Sequence, residues 1–327
     1  MENLTDKRRN CYMLKTGNRT NQRRVHLRQL FLIYFVLLGQ QGFLFLSARQ
    51  VEAKVVRDQA GRTVSVPDNA QRVIALAPSI TETVFCLGRE DRLKGVTEYS
   101  NFPPAARDLP RVGSYKHPDL EKIVALQPDL CLAIKDGNPK DLAVQLEALH
   151  IPVYAVNPLD LKGVMNTILA IGDLLGAQPK AEQLVDEMSA RIERIKSRVA
   201  LAKEHPRVFF QIGISPMVSV GTHTFANELI SEAGGENITE GPVPYPRVSR
   251  EEVLLLKPEV IIITSMTRGE EFERIRNEWY QWPSLPAVRN QRIFIVDSNL
   301  FDRPTFRLVE GLELLARCIH PELFQGS

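Results

Sequence analysis

The stretch that most limits how this chain can fold is residues 178–204. Pro179 sits where a first helical turn accepts it, and no Pro or Gly follows until Pro206. Apolar residues fall at Ala181, Leu184, Met188, Ile192, Ile195, Val199 and Ala202, with charged residues filling most of the rest. That stripe buries one face and leaves the other in water. A helix of roughly 25 residues spans about 38 Å at 1.5 Å per residue, more than one small lobe needs. A coiled coil has similar spacing. The flanks favour a stiff strut, because on each side the chain alternates strand and helix.

Before the strut, strands are predicted at 130–134 and 153–156. Helices are predicted at 119–126, 139–149 and 161–175. Beyond it, strands fall at 208–212, 260–264 and 293–296, and helices at 225–233, 270–279 and 305–318. Alternation of this kind predicts an α/β fold: two Rossmann-like lobes with largely parallel sheets, joined by a single long rigid helix. We expect an N-terminal lobe over 54–160, a helical linker over 161–205 and a C-terminal lobe over 206–327. A hairpin around residues 58–61 should open the first lobe. The apolar run 73–77 then leads into Pro78-Ser79-Ile80-Thr81-Glu82, where Ser79 and Glu82 have capping-box spacing. A helix starting there would aim backbone N–H groups at the carboxyl edge of a sheet, where ligands bind in open α/β folds.

The two halves share a phrase. Residues 119–130 read DLEKIVALQPDL and residues 249–260 read SREEVLLLKPEV. Each is a short amphipathic helix ended by Pro, then an acidic residue and an apolar strand. Glu121 and Glu251 hold the same place in both copies.

The first 53 residues read as a targeting segment and signal peptide. Lys7, Arg8, Arg9, Arg23, Arg24 and Arg28 precede an apolar run over 30–38, and Val51 and Ala53 offer a cleavage site. Met13 is an alternative start. A retained membrane anchor is the other reading, but Gly39-Gln40-Gln41 interrupts the apolar stretch. Those residues hold nine Lys/Arg against three Asp/Glu, so the chain's net +2 becomes −4 without them. A mildly acidic body has no electrostatic footprint for nucleic acid. Cys86, Cys131 and Cys318 lie in apolar contexts and match no zinc spacing; they read as small buried side chains.

No catalytic constellation stands out. His117, His150, His205, His223 and His320 are scattered, reading mostly as surface or loop residues, and there is no phosphate loop, nucleophile elbow or dinucleotide fingerprint. Neither a direct metal site nor a two-lobed enzyme has residues to nominate. What the predicted loops do carry is aromatic and Arg content: Tyr99, Tyr115, Tyr245, the run Trp279-Tyr280-Gln281-Trp282, and Arg303. Rigid aromatic faces with an Arg suit a large, partly planar ligand with polar edges.

The segments RVIALAPSITET (72–83), TEYSNFPP (97–104), DLEKIVALQPDL (119–130), GGEN (234–237), VPYPRVSREEVL (243–254) and DSNLFDRP (297–304) carry a family resemblance. The chain resembles the class III, helical-strut periplasmic substrate-binding proteins of ABC transporters, within them the cobalamin-binding type. Their relatives carry ferric siderophores or haem. The resemblance implies an exported, monomeric binding protein, not an enzyme, without a resident cofactor, whose transported ligand is a corrinoid or related metal chelate. It implies ligand contacts at Tyr99, Tyr115, Tyr245, Asn299 and Arg303. It also implies docking to an ABC permease dimer through Glu121 and Glu251. Tyr115, Ile134 and Tyr245 stand where the cobalamin binders tend to carry Trp, and Asn299 where they carry an acid. A ferric siderophore or haem is the alternative ligand. A single helix resists bending more than paired strand hinges, so lobe closure should be modest.

Overall fold

The computed structural model describes residues 53–264 and 270–324. The targeting segment read at residues 1–53 lies outside them, apart from Ala53 itself. That residue opens β1 (Ala53–Arg57), which pairs antiparallel with β2 (Thr63–Pro67) as the expected hairpin.

Two parallel sheets follow, and they have one topology. The first contains β3 (Val73–Ala75), β4 (Leu93–Val96), β5 (Leu130–Ile134) and β6 (Val153–Val156), in the order β4-β3-β5-β6. The helices after β3, β4 and β5 are α1 (Pro78–Cys86), α2 (Leu120–Ala125) and α3 (Lys140–Ala148). Next come α4 (Leu161–Leu174) and α5 (Gln178–Val199), the strut.

In the second sheet β7 (Arg207–Gln211) is followed by a small hairpin, β8 (Gly213–Ile214) with β9 (Met217–Val218). Then come α6 (Phe225–Glu232), β10 (Glu236–Asn237), α7 (Arg250–Leu256) and β11 (Val260–Ile263). The chain continues through α8 (Glu270–Tyr280), α9 (Pro286–Arg289), β12 (Ile293–Ile295) and α10 (Leu308–Ile319). Its order is β10-β7-β11-β12, the first sheet's order repeated. The α/β class read from the sequence is the class found. β4, β10 and the β8–β9 hairpin were not anticipated: each is two to four residues long, too short for periodicity to mark.

The repeated phrase has a structural reason. Asp129 and Glu259, the acids after each Pro, reach across to the start of the neighbouring strand. Asp129 accepts from the backbone N–H groups of Gln71 and Arg72 at 2.8 and 2.9 Å. Glu259 accepts from the N–H of Arg207 at 2.9 Å. Each carboxylate thus fixes the register of the third strand against the first. Exposure also runs in step along 121–130 and 251–260, differing only between half-buried Leu126 and exposed Leu256.

Every central strand is buried on both faces, as parallel strands under helices must be. Alternate residues sort to different cores. In β5, Leu130 and Leu132 face one way and Cys131 and Ala133 the other. In β11, Val260 and Ile262 part from Ile261 and Ile263. The inner faces of both sheets belong to one continuous cluster, and Leu184, Met188 and Ile192 of α5 lie within it. The strut packs on α4 at one end and on α10 and α6 at the other. At the first end Gly172 lets Ala181 approach so closely that a Cβ would collide with it. At the other, Gly234, at φ +78°, does the same for Val199.

The strut is shorter than expected. The helix spans 22 residues, about 33 Å, and stops at Val199 where the sequence predicts 204. Leu201 is 72 % exposed, so burial and not the next Pro sets its end. The six positions 181, 184, 188, 192, 195 and 199 are all buried as expected. Free thiols follow the reading as well: Cys131 and Cys318 are buried and Cys86 half-buried. Burial raises the Cys131 thiol to about 12 and that of Cys318 to about 11.

The two register carboxylates should differ in weight. Asp129→Ala removes two charge-assisted hydrogen bonds to backbone and should cost about 2 kcal/mol. Glu259→Ala removes one and should cost about 1 kcal/mol. Urea unfolding of both variants checks the order; equal or reversed costs would show that the carboxylates do not set strand register.

Candidate functional site

The loops at the carboxyl ends of the two sheets carry the candidate residues, as expected for an open α/β fold. Tyr99 follows β4 and is 62 % exposed. Tyr115 lies in the loop before α2 and Tyr245 in the loop before α7. Each precedes its helix N-cap, Asp119 or Ser249, by four residues. The repeat therefore extends upstream to include one Tyr from each half. Asn299 lies on a short helical turn after β12, and Arg303 follows it.

Tyr115 is held by its neighbours. Asn138 donates to the Tyr115 carbonyl at 2.7 Å and to the Leu76 carbonyl at 2.9 Å, while its own carbonyl accepts from Ile134 N–H at 2.7 Å. One amide thus ties the Tyr115 loop to the ends of β3 and β5. The ring lies over Gly137, where any Cβ would strike it.

Tyr245 is 59 % exposed, yet the surrounding protein desolvates its hydroxyl. That desolvation raises the phenol above its usual range, and Asp302 and then Tyr115 add to the shift. Asp302 and Tyr115 therefore each lie within electrostatic reach of Tyr245, and the two tyrosines come from different lobes. Asp302 is open to solvent but crowded by protein. Its carboxyl is pushed up to about 6, chiefly by desolvation, with Asp297 adding and Arg303 opposing. The sequence did not single out Asp302. It lies three residues beyond Asn299, where the family resemblance sets an acid, and brings a carboxyl into the same loop. The Asn299 side chain is engaged locally, donating to Asp297 at 2.7 Å.

Arg303 does not stand free in the site; it bridges the lobes. Its Nη1 donates to Glu82 Oε1 at 2.6 Å, and its Nη2 to the Tyr99 carbonyl at 3.2 Å and Asn101 Oδ1 at 3.0 Å. Arg303 and Glu82 are 221 residues apart in sequence. Arg307 joins them, with Nη1 3.7 Å from Glu82 Oε2 and its guanidinium 4.1 Å from the centre of the Phe102 ring. Burial raises the Glu82 carboxyl above its usual range, while the two arginines pull it down.

This corrects the sequence reading of Glu82. The helix begins at Pro78 with Ala77 as its extended N-cap, and no side chain caps it. Glu82 sits instead on the helix's buried face, its side chain 1 % exposed. A lone acid in the otherwise uncharged run PSITETVFC was the available signal.

Other aromatic candidates fall outside the site. Trp279 is core: it is 1 % exposed, packs edge-on against Phe209 at 5.8 Å, and donates to Gln211 Oε1 at 2.9 Å. Trp282 packs partly buried beside it. His320, read as a surface or loop residue, is buried at 2 % exposure with Nδ1 3.1 Å from Glu322. The other four histidines are exposed. Glu121 and Glu251 occupy the second position of α2 and α7, both exposed. Among the described residues no cluster of His, Cys, Asp and Glu could hold a metal ion.

Known proteins resemble this chain over most of its length. The chain is 35 % identical over 249 residues to the vitamin B12-binding protein of Yersinia pestis (strain Pestoides F), covering 76 % of this chain and 86 % of that protein. The crystal structure of the periplasmic vitamin B12 binding protein of Vibrio cholerae matches at TM-score 0.69 and 29 % identity, over 78 % of this chain and 99 % of that one. A periplasmic heme binding protein from Pseudomonas aeruginosa matches at TM-score 0.69 and 26 % identity, over 77 % and 93 %. The periplasmic binding protein family matches residues 73–300, a span that takes in both parallel sheets, the strut and Tyr99, Tyr115, Tyr245 and Asn299, and ends three residues before Arg303. The chain belongs to that family.

Proposed function

We propose that this chain captures a corrinoid between its lobes and delivers it to an ABC importer, as an exported, monomeric binding protein and not a catalyst. The observation that carries the reading is the matched pair Tyr115 and Tyr245. Each lobe contributes one Tyr from the same place in the repeat, and the two come within electrostatic reach beside Asp302. Two aromatic faces from opposite lobes suit a broad, flat macrocycle. The polar groups around them suit a ligand edged with amides. Tyr99, Asn299 and Arg303 complete the set. Similarity to vitamin B12-binding proteins supports the same ligand.

Haem or a ferric siderophore is the second reading, favoured by the similarity to a heme binding protein. Charge weighs against it. Arg303 and Arg307 face the carboxylate of Glu82, and Asp297 and Asp302 lie in the same loop. An anionic chelate would meet little uncompensated positive charge at the Arg303 end of the site, where the cations are paired; Lys116, 5.9 Å from the centre of the Tyr115 ring, is the cation beside the other end. Titration calorimetry with cobalamin, haem and a ferric siderophore separates the readings. Tyr245→Ala and Tyr115→Ala should each weaken cobalamin binding by about 1–3 kcal/mol, as for aromatic anchors. Unchanged affinity in a folded variant removes that Tyr from the site.

Delivery would use Glu121 and Glu251. Their matched exposed positions set one carboxylate on each lobe, a pattern able to meet a two-fold permease bearing Arg or Lys on each subunit. Local helix-dipole compensation at these positions is worth only about 0.3–1 kcal/mol. Glu121→Arg with Glu251→Arg should therefore leave ligand affinity and thermal stability nearly unchanged while abolishing cobalamin uptake and salt-sensitive docking. Uptake at the wild-type rate would reduce both residues to helix-start charges.

A further inference from the structure

Glu82 has more acceptor capacity than its hydrogen bonds use. Oε1 is taken by Arg303, whereas Oε2, buried, makes no hydrogen bond among the described residues. Arg307 Nη1 stands 3.7 Å from that oxygen, too far for a hydrogen bond but about 0.9 Å from a charge-assisted one. The Arg307 guanidinium is meanwhile held against the Phe102 ring of the opposite lobe. Two cations thus attend one carboxylate, one fully engaged and one just out of range.

We propose that Glu82 and Arg307 are positioning residues for ligand capture: Arg307 takes over the Glu82 carboxylate as Arg303 turns a donor toward the ligand. This rests on the reading that Arg303 faces the ligand. Three of the five N–H donors of Arg303 are committed to Glu82, Tyr99 and Asn101 of the first lobe, so turning its rigid guanidinium toward a ligand disturbs that set. Withdrawn alone, it would leave a buried carboxylate uncompensated, which is strongly unfavourable. A second arginine on the same carboxylate removes that obstacle. It also couples the lobes, since Glu82 stands on α1 of the first, and Arg303 and Arg307 precede and cap α10 of the second. The site then exchanges one ion pair for another, and Arg303 offers N–H donors to the amide edge of the ligand without a buried carboxylate being left unpaired.

The competing account gives Arg307 a packing role only, and a double-mutant cycle separates the two. Cobalamin affinity is measured by calorimetry for wild type, Arg303→Ala, Arg307→Met, Arg307→Lys, Glu82→Gln and Glu82→Gln with Arg307→Met. Arg307→Met should weaken binding about tenfold, and Arg307→Lys should recover most of the loss. In the Glu82→Gln background, where no buried charge needs covering, Arg307→Met should cost nothing further. Guanidinium NMR of the wild type gives a readout that needs no variant: the Arg307 side-chain protons should exchange more slowly once cobalamin is added. Unchanged affinity in Arg307→Met, an equal loss in both backgrounds, or unaltered Arg307 exchange overturns the proposal. If Arg303→Ala also binds like wild type, the placement of Arg303 in the site fails as well. If only Arg303→Ala weakens binding, the exchange alone is wrong.

Discussion

Burial of the inner faces of both sheets in one continuous core is the constraint on which the rest of the molecule depends. Leu184, Met188 and Ile192 supply the join, because a single helix lays one buried stripe against the core shared by both halves. At about 25 cal/mol per Å² of apolar surface, opening that seam would be costly over even a modest area. The lobes are consequently a rigid pair, and the relative positions of loops far apart in sequence are fixed by packing well behind them. The loops bearing Tyr115 and Tyr245 belong to sheets that are held from the rear.

Sequence periodicity revealed the frame well, and the physics explains why. The strut's six buried positions repeat along a helix long enough for the pattern to be unambiguous. Three strands of each sheet, all but β4 and β10, read as apolar runs because both of their faces are covered. The repeated phrase was visible because its parts are local: a cap, a turn ended by Pro, and an acid fixing the next strand. The α/β class, the two halves and the loops that bear the site all followed from such short-range rules.

What stayed hidden depends on partners remote in sequence. Glu82 sits three residues after Ser79 and so has the spacing of a capping box, yet its carboxylate belongs to an arginine in the other half of the chain. Nothing within one helical turn distinguishes the two roles. Trp279 looks like a binding aromatic in a polar run, but Phe209 and Gln211 of a strand far upstream bury it. Asp302 escaped notice because an acid in a loop is ordinarily solvated; desolvation by the surrounding protein is what changes its character. The candidate site was thus legible as a set of loops and aromatic residues. Its ionic floor was not.

The glycines at the two ends of the strut have a consequence for how the chain comes to be folded. Gly172 and Gly234 admit Ala181 and Val199 so closely that the helix is seated in both halves at once. A chain emerging N-terminus first therefore completes its first sheet before the cluster on that sheet's inner face is complete. Ala75, Leu130, Leu132 and Val156 line that face. Ile80, Val84, Val164 and Ile168 of the same half join them in that cluster, and the strut and the second sheet extend it. Neither half is a finished folding unit, and the native state is expected to form and to be lost in a single cooperative step.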